Sequence, residues 1–170
     1  MRSFIRLARD SDLENLASLV ALYWEFEGLP HFDRTRVTTL LTDLLSQPKR
    51  GRCWVAEEGG QLVGYLLAVY LFSLEHGGLM AEIDEFFVLS EKRSLNTGTA
   101  LLDTAGRMMA QEGITHLQLQ LGAQNLSAKR FYERHGFRSI SGRDVLSKTL
   151  APVDERYISS ASRLNFLSNP

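Results

Sequence analysis

The order of hydrophobic patterns predicts a mixed α/β fold, an α+β arrangement with a central, mostly antiparallel sheet flanked by helices. Three observations predict it. Two long apolar runs, "CWVAEE" and "QLVGYLLAVYL", are separated by Gly59-Gly60, which reads as an antiparallel hairpin. A third strand-like run, "LMAEIDEFFVL" (79–89), follows the turn at Gly77-Gly78. A helix-like stripe and a strictly alternating run, "THLQLQL" (115–121), come next, the signature of a β-α-β crossover.

Taken in order, "SFIRLAR" (3–9) alternates, with Phe4, Arg6 and Ala8 on one face and Ile5 and Leu7 on the other. "SDLE" (11–14) matches a capping box with Ser11 as N-cap and Glu14 three residues on. Leu13, Leu16, Leu19, Val20, Tyr23 and Trp24 then recur at helical spacing until Gly28 and Pro30 end the helix. Asp33 can cap a second helix bearing Val37, Leu40, Leu41, Leu44 and Leu45, closed by Pro48 and Gly51. After the three central strands, Leu101, Leu102, Ala105, Met108 and Met109 form a helical stripe that stops at Gly113. Asn125 can cap "LSAKRFYERH" (126–135), with Gly136 as a left-handed C-terminal turn. "FRSI" and "DVLSKTL" read as a closing pair of strands. The pattern fades after Leu150, so the reading is one domain over 1–150 and a tail, 151–170, of unknown role.

Bulk properties exclude several classes. One domain is the simplest reading of 170 residues. A net charge of -1 provides no basic field for nucleic acid. No apolar run is long enough to span a membrane, and the charges in "MRSFIRLARDSD" come too early for a signal peptide. The single cysteine, Cys53, excludes an internal disulfide and fits a reducing, cytoplasmic setting. It has no His/Asn partner and reads as structural. Four scattered histidines with one cysteine give no metal-ligand spacing, so no metal is expected. No GxGxxG follows a strand and no GxxxxGK[ST] occurs, which argues against Rossmann and P-loop nucleotide sites.

The chemistry is concentrated in 82–137. "RSLNTGT" (93–99) lies between a strand and a helix, where unpaired N–H groups and the helix dipole favour an anion. This loop and "GITHLQLQLGAQNLSAKRFYERHGF" together resemble the acetyl-CoA-binding core of the GNAT superfamily of N-acetyltransferases. The family's loop reads Arg/Gln-x-x-Gly-x-Gly/Ala, and its next helix reads Asn-x-x-Ala-x-x-x-Tyr-x-x-x-Gly-Phe. The second pattern is intact here as Asn125, Ala128, Tyr132, Gly136 and Phe137. The loop departs from the first: Asn96 and Ser94 stand where glycines are usual, and Ser90 replaces a common proline. Asn is the non-glycine residue best suited to left-handed backbone. By the resemblance, its side chain would fill space that the phosphates need.

The resemblance implies a GNAT-like acyl-CoA N-acyltransferase fold and an acetyl transfer from acetyl-CoA to a primary amine by direct attack in a ternary complex. It implies that Arg93, Leu95, Asn96, Thr97, Gly98 and Thr99 cradle the pyrophosphate, with hydroxyl donors from Thr97 and Thr99. It implies that Phe87, Val88 and Leu89 pair with the amide arm of pantetheine. Asn125, Ala128 and Tyr132 complete the cofactor site, and the Tyr132 phenol is the implied acid for the thiolate, although a core tyrosine is the alternative. Three acids, Glu82, Asp84 and Glu85, crowd one strand. Strict alternation places Glu82 and Asp84 on one face and Glu85 on the other, and Glu82 or Glu85 is the expected base. His31, Tyr23, Trp24 and Phe32 lie where the family places substrate loops, while His76 and His116 read as exposed. The acceptor is a small-molecule or peptide amine, and a homodimer is expected as a possible assembly. A catalytically degenerate acyl-CoA-binding or protein-interaction module on the same fold is the alternative.

Overall fold

The computed structural model describes residues 3–142 and 145–150, without the side chains of Ser94 and Leu95. The tail 151–170 lies outside the described residues. Residues 1–137 form one compact unit that holds every helix and strand described below.

Five strands, β1 (Phe4–Leu7), β2 (Gly51–Glu58), β3 (Gln61–Ser73), β4 (Gly78–Val88) and β5 (Leu117–Leu119), lie in sequence order across one sheet. β1 to β4 are antiparallel neighbours, and β5 joins β4 in parallel through a crossover. That crossover is α3 (Thr97–Gln111). Helices α1 (Leu13–Glu27) and α2 (Arg34–Ser46) cover one face of the sheet, burying Leu16, Leu19, Val20, Val37 and Leu41 against Val55, Tyr65, Leu67 and Phe87. Helix α3 covers the other face with Leu101, Leu102, Ala105 and Met109, and α4 (Leu126–Arg134) adds Phe131 and Tyr132 to that layer.

Several helix ends form as local chemistry dictates. The Asp33 carboxylate accepts from the Arg36 N–H, and the Asn125 amide oxygen accepts from the Ala128 N–H at 3.1 Å. Gly28 and Gly136 both adopt left-handed backbone, at φ 66° and 87°. The start of α1 differs from the expected capping box. A short 3-10 turn, Asp10–Asp12, precedes it, and the Asp12 carboxylate accepts from the Arg9 N–H at 2.8 Å. Asp12 is buried and also receives both terminal nitrogens of Arg6, at 2.6 and 2.9 Å. That pair outcompetes Ser11 as the anchor of the helix entry.

The expected closing strands do not form among the described residues 137–142 and 145–150. Strand formation there required an apolar face to bury, yet Val145, Leu146 and Leu150 are exposed. β5 is also shorter than "THLQLQL", with three residues in the ladder.

Candidate active site

The site follows from where β4 and β5 part. They pair only over Ala81–Ile83 and Leu117–Leu119. β4 runs on for five more residues to Val88, and its outer edge there has no neighbouring strand among the described residues. A cleft of about 590 Å³ opens at this point. Its walls include Asp84, Phe86, Phe87 and Val88 from β4, Tyr23, Phe26 and Glu27 from α1, and Asn125, Ala128 and Tyr132 at α4.

The register of β4 decides which acid enters the cleft. Leu67 faces Glu85 and Ala68 faces Ile83, so Asp84 is an additional residue, a β-bulge. The face assignments agree. Ile83 and Phe86 are three apart yet pack in the same layer as α3, whereas period-two alternation would separate them. The expected division of the acids is therefore corrected: Glu82 and Glu85 share the face that looks toward α1 and α2, and Asp84 is set apart. Glu82 accepts from the side-chain amides of Gln118 at 2.6 Å and Gln120 at 3.0 Å. Glu85 accepts from Trp24 Nε1–H at 2.9 Å and from the Tyr65 hydroxyl at 2.7 Å. Neither of these two lines the cleft, and Asp84 does.

The electrostatics raise two of the three acids. Desolvation, and then the charge of Glu82, hold the Asp84 carboxyl above the ordinary carboxylate range. Burial also raises Glu85, although its bonds from Tyr65 and Trp24 oppose the rise. Burial pushes the Tyr23 phenol up to about 12, with Glu85, Glu27 and Asp84 adding to it. Tyr132 is raised as well, first by burial and then by Tyr23 and Glu27. It therefore stays protonated at neutral pH. Its ring is fixed by Phe131 and Phe137, each 5.3 Å away centroid to centroid.

The loop after β4 coils as a 3-10 turn, Ser90–Leu95, and enters α3 through Asn96. Asn96 has φ 62° and ψ 9°, the left-handed conformation a glycine would supply. Its carbonyl accepts the first helical bond, from the Ala100 N–H at 2.9 Å. The N–H groups of Thr97, Gly98 and Thr99 thus belong to the first turn, which has no intrahelical acceptor for them. Gly98 lines the cleft, and a Cβ there would meet Phe131 and Phe86 at 3.7 Å, filling space the glycine leaves open.

Three expected contacts change. Thr97 is buried and its hydroxyl hydrogen-bonds Ser3 Oγ at 3.1 Å, so it points into the protein and only its N–H serves the loop. Arg93 donates Nε–H to the Val88 carbonyl at 2.9 Å and lies over the Phe26 ring at 4.6 Å. It is held against β4 and α1 while still lining the cleft. Leu89 gives its N–H to the Val63 carbonyl and its carbonyl to the Lys92 N–H. By alternation, Phe87 also turns its main chain toward β3, while Val88 and Phe86 turn theirs to the open edge. Of Phe87, Val88 and Leu89, only Val88 offers a pairing edge. Phe86 was missed, because the bulge that rephases the strand carries no local sequence signal.

The remaining candidates fall outside the cleft. His31 is exposed, with φ 59°, and Trp24 packs on Phe32. His76 and His116 are half-buried and stack on each other at 3.8 Å, which corrects the expectation of two free surface imidazoles. Cys53 is buried and its thiol is pushed up by desolvation, as an inert core residue. No group of three or more metal-ligating side chains occurs among the described residues, and none of their helices is long and apolar enough to cross a membrane.

The cleft lies beside an unpaired stretch of strand edge and ends at a helix N-terminus, a setting that suits an extended anionic ligand. The model of the acetyltransferase (GNAT) family matches residues 15–137. The chain belongs to that family. It is 32% identical over 135 residues to an uncharacterized N-acetyltransferase of Archaeoglobus fulgidus, covering 76% of this chain and 91% of the relative. It is 23% identical over 145 residues to a thialysine N-epsilon-acetyltransferase of Mus musculus, covering 81% and 85%. A predicted acetyltransferase of Clostridium acetobutylicum, solved with acetyl-CoA, shares the fold with a TM-score of 0.73 at 18% identity, covering 85% of this chain and 96% of its own.

Proposed function

We propose that this protein transfers an acetyl group from acetyl-CoA to a primary amine by direct attack, with Asp84 taking the amine proton and Tyr132 supplying the proton for the leaving sulfur. The observation that carries the reading is the convergence of four features on one cleft: the free β4 edge, the N-terminus of α3, the Asp84 carboxylate and the Tyr132 phenol.

The residues present fit the donor. The N–H groups of Thr97, Gly98 and Thr99 would hold its pyrophosphate, and the main chains of Val88 and Phe86 would pair with its amide arm. Arg93 would release the Val88 carbonyl as that pairing forms. Acetyl-CoA supplies, when bound, an acetyl group activated as a thioester. An amine arrives as an ammonium and cannot attack until it loses a proton. Glu27 and Asp84 make this end of the cleft attractive to that cation. Asp84, held above the ordinary carboxylate range, is closer to neutral pH and so better matched to accepting the proton. Nitrogen then bonds to the carbonyl carbon, the carbon–sulfur bond breaks, and Tyr132 gives its proton to sulfur before solvent restores it. Four residue steps, about 13 Å of extended strand, run from Asp84 to Val88, which sets the acid and the loop at opposite ends of an extended ligand.

The test is calorimetric titration with acetyl-CoA, with free CoA as control, followed by turnover on a panel of amines. The relative in Mus musculus makes a lysine-like ε-amine the first acceptor to try. Micromolar binding, turnover by the wild type and loss of turnover in Asp84→Asn with binding retained would support the reading. Absence of binding at millimolar acetyl-CoA would overturn it.

A further inference from the structure

Glu85 stands out because it is a half-buried carboxylate that the proposed chemistry does not use. It sits next to Asp84 but faces away from the cleft, toward α1 and the sheet, where Trp24 and Tyr65 both donate to it. The alternative placement is informative. In an unbulged β4 the side chain at 85 would enter the opposite layer, among Leu101, Ala105 and Leu119. A carboxylate there would lose both donors and face apolar side chains, a costly state. The bulge and the two hydrogen bonds therefore require one another. The additional residue is Asp84 because residue 85 is the one that must reach Trp24 and Tyr65.

We propose that Glu85, held by Trp24 Nε1–H and the Tyr65 hydroxyl, is a positioning residue that fixes the β4 bulge and thereby presents Asp84 to the cleft. The idea rests on the assignment of Asp84 as the proton acceptor. The lock also ties α1 to the bulge, because Trp24 lies beside Tyr23, one residue along the helix that contributes Tyr23, Phe26 and Glu27 to the cleft wall. The groups that interact with Glu85 among the described residues are Tyr65 from β3, Cys53 from β2, Trp24 and Tyr23 from α1, and Asp84 from its own strand. No cation is among these, so its position depends on the two neutral donors.

Tyr65→Phe removes one donor with little change in volume, Trp24→Phe removes the other together with part of the indole's bulk, and Glu85→Leu removes both acceptors. Two readouts apply. The first is amide hydrogen exchange across 82–86 in the protein alone, without acetyl-CoA. Each single-donor variant is expected to exchange there about tenfold faster, with α3 and β2 unchanged, as loss of one charge-assisted bond implies. The second is the split between kcat and acetyl-CoA affinity. The same variants are expected to lose about tenfold in kcat while the dissociation constant stays within about twofold. A merely structural role predicts a lower Tm with kcat unchanged well below it, and that result would overturn the proposal. Unchanged exchange across 82–86 in all three variants would overturn it equally. If the wild type shows no turnover but the exchange result holds, the lock stands and the acetyltransfer reading fails.

Discussion

Asn96 carries the sharpest prediction about the phosphate loop. The perturbation is Asn96→Val, with Asn96→Gly as its counterpart. At φ 62° and ψ 9° residue 96 is in the left-handed region, which costs an ordinary L-residue roughly 1–2 kcal/mol and a β-branched one at least that. The valine variant must either bear this strain or rotate the 96–97 peptide. Rotation would break the bond from Ala100 N–H to the Asn96 carbonyl and redirect the Thr97 N–H. The expected loss is therefore about 1–2 kcal/mol of stability, read as a fall of a few degrees in Tm. Loss of the cradle is expected to weaken acetyl-CoA by about tenfold or more, equivalent to roughly 1.4 kcal/mol. In Asn96→Gly the relieved strain is offset by the greater freedom of the unfolded chain, so stability should change by less than about 0.5 kcal/mol. Thermal denaturation and calorimetric titration of all three proteins give the answer. Wild-type affinity in Asn96→Val would refute the claim that left-handed backbone at 96 shapes the anion site.

Three further outcomes are expected. Tyr132→Phe should bind acetyl-CoA within about twofold of wild type yet lose about 10²-fold or more in kcat, as measured in steady-state kinetics, because only the proton donor is removed. Asp12→Asn should lose about 3 kcal/mol in denaturant unfolding near neutral pH, since it breaks a largely buried, bidentate pair with Arg6. Its pH dependence has a definite sign. The hydrogen bond from Arg6 holds the Asp12 carboxyl below its ordinary value, so its contribution is full above that value and is lost as pH falls through the lowered one. The wild type should lose more stability than Asp12→Asn on acidification, and parallel pH curves would contradict this. Gly64→Ala would place a Cβ 2.8 Å from the Phe87 carbonyl oxygen and 3.1 Å from Val88 Cγ2. It should cost about 1–3 kcal/mol in stability and disturb the β4 edge, so that acetyl-CoA titration also shows weaker binding.

What could be read from the sequence is what depends on near neighbours in the chain. Asp33 and Asn125 cap their helices through bonds to the N–H three residues on, and Gly28 and Gly136 need only their own dihedral freedom. The five central elements and their order follow from periodicity in the same way. The loop's place between β4 and the N-terminus of α3 was legible, and Asn96 adopts the left-handed conformation to which asparagine is suited. The failures involve partners distant in the chain. Arg93 folds onto Phe26, 67 residues earlier by number, and Thr97 turns to Ser3. The Ser11 capping box loses to Asp12 because Arg6 and Glu57 meet there across β1 and β2. No alternation rule contains these competitions.

The three acids of β4 show why the base was the hardest residue to identify. Counting by twos pairs Glu82 with Asp84, and residue type alone favours none of the three. The decision lies in how a carboxylate is solvated. Glu82 has the amides of Gln118 and Gln120, and Glu85 has an indole and a phenol. Each is held by two fixed donors, so each is suited to holding its place. Asp84 stays exposed at the cleft with no side-chain hydrogen bond among the described residues, and partial desolvation along the strand, with Glu82 beside it, raises its proton affinity. A residue that must take up a proton and release it again gains from that lack of fixed partners. On the proposed chemistry, the bulge separates two adjacent acids into one that anchors and one that reacts, using a single additional residue in one strand.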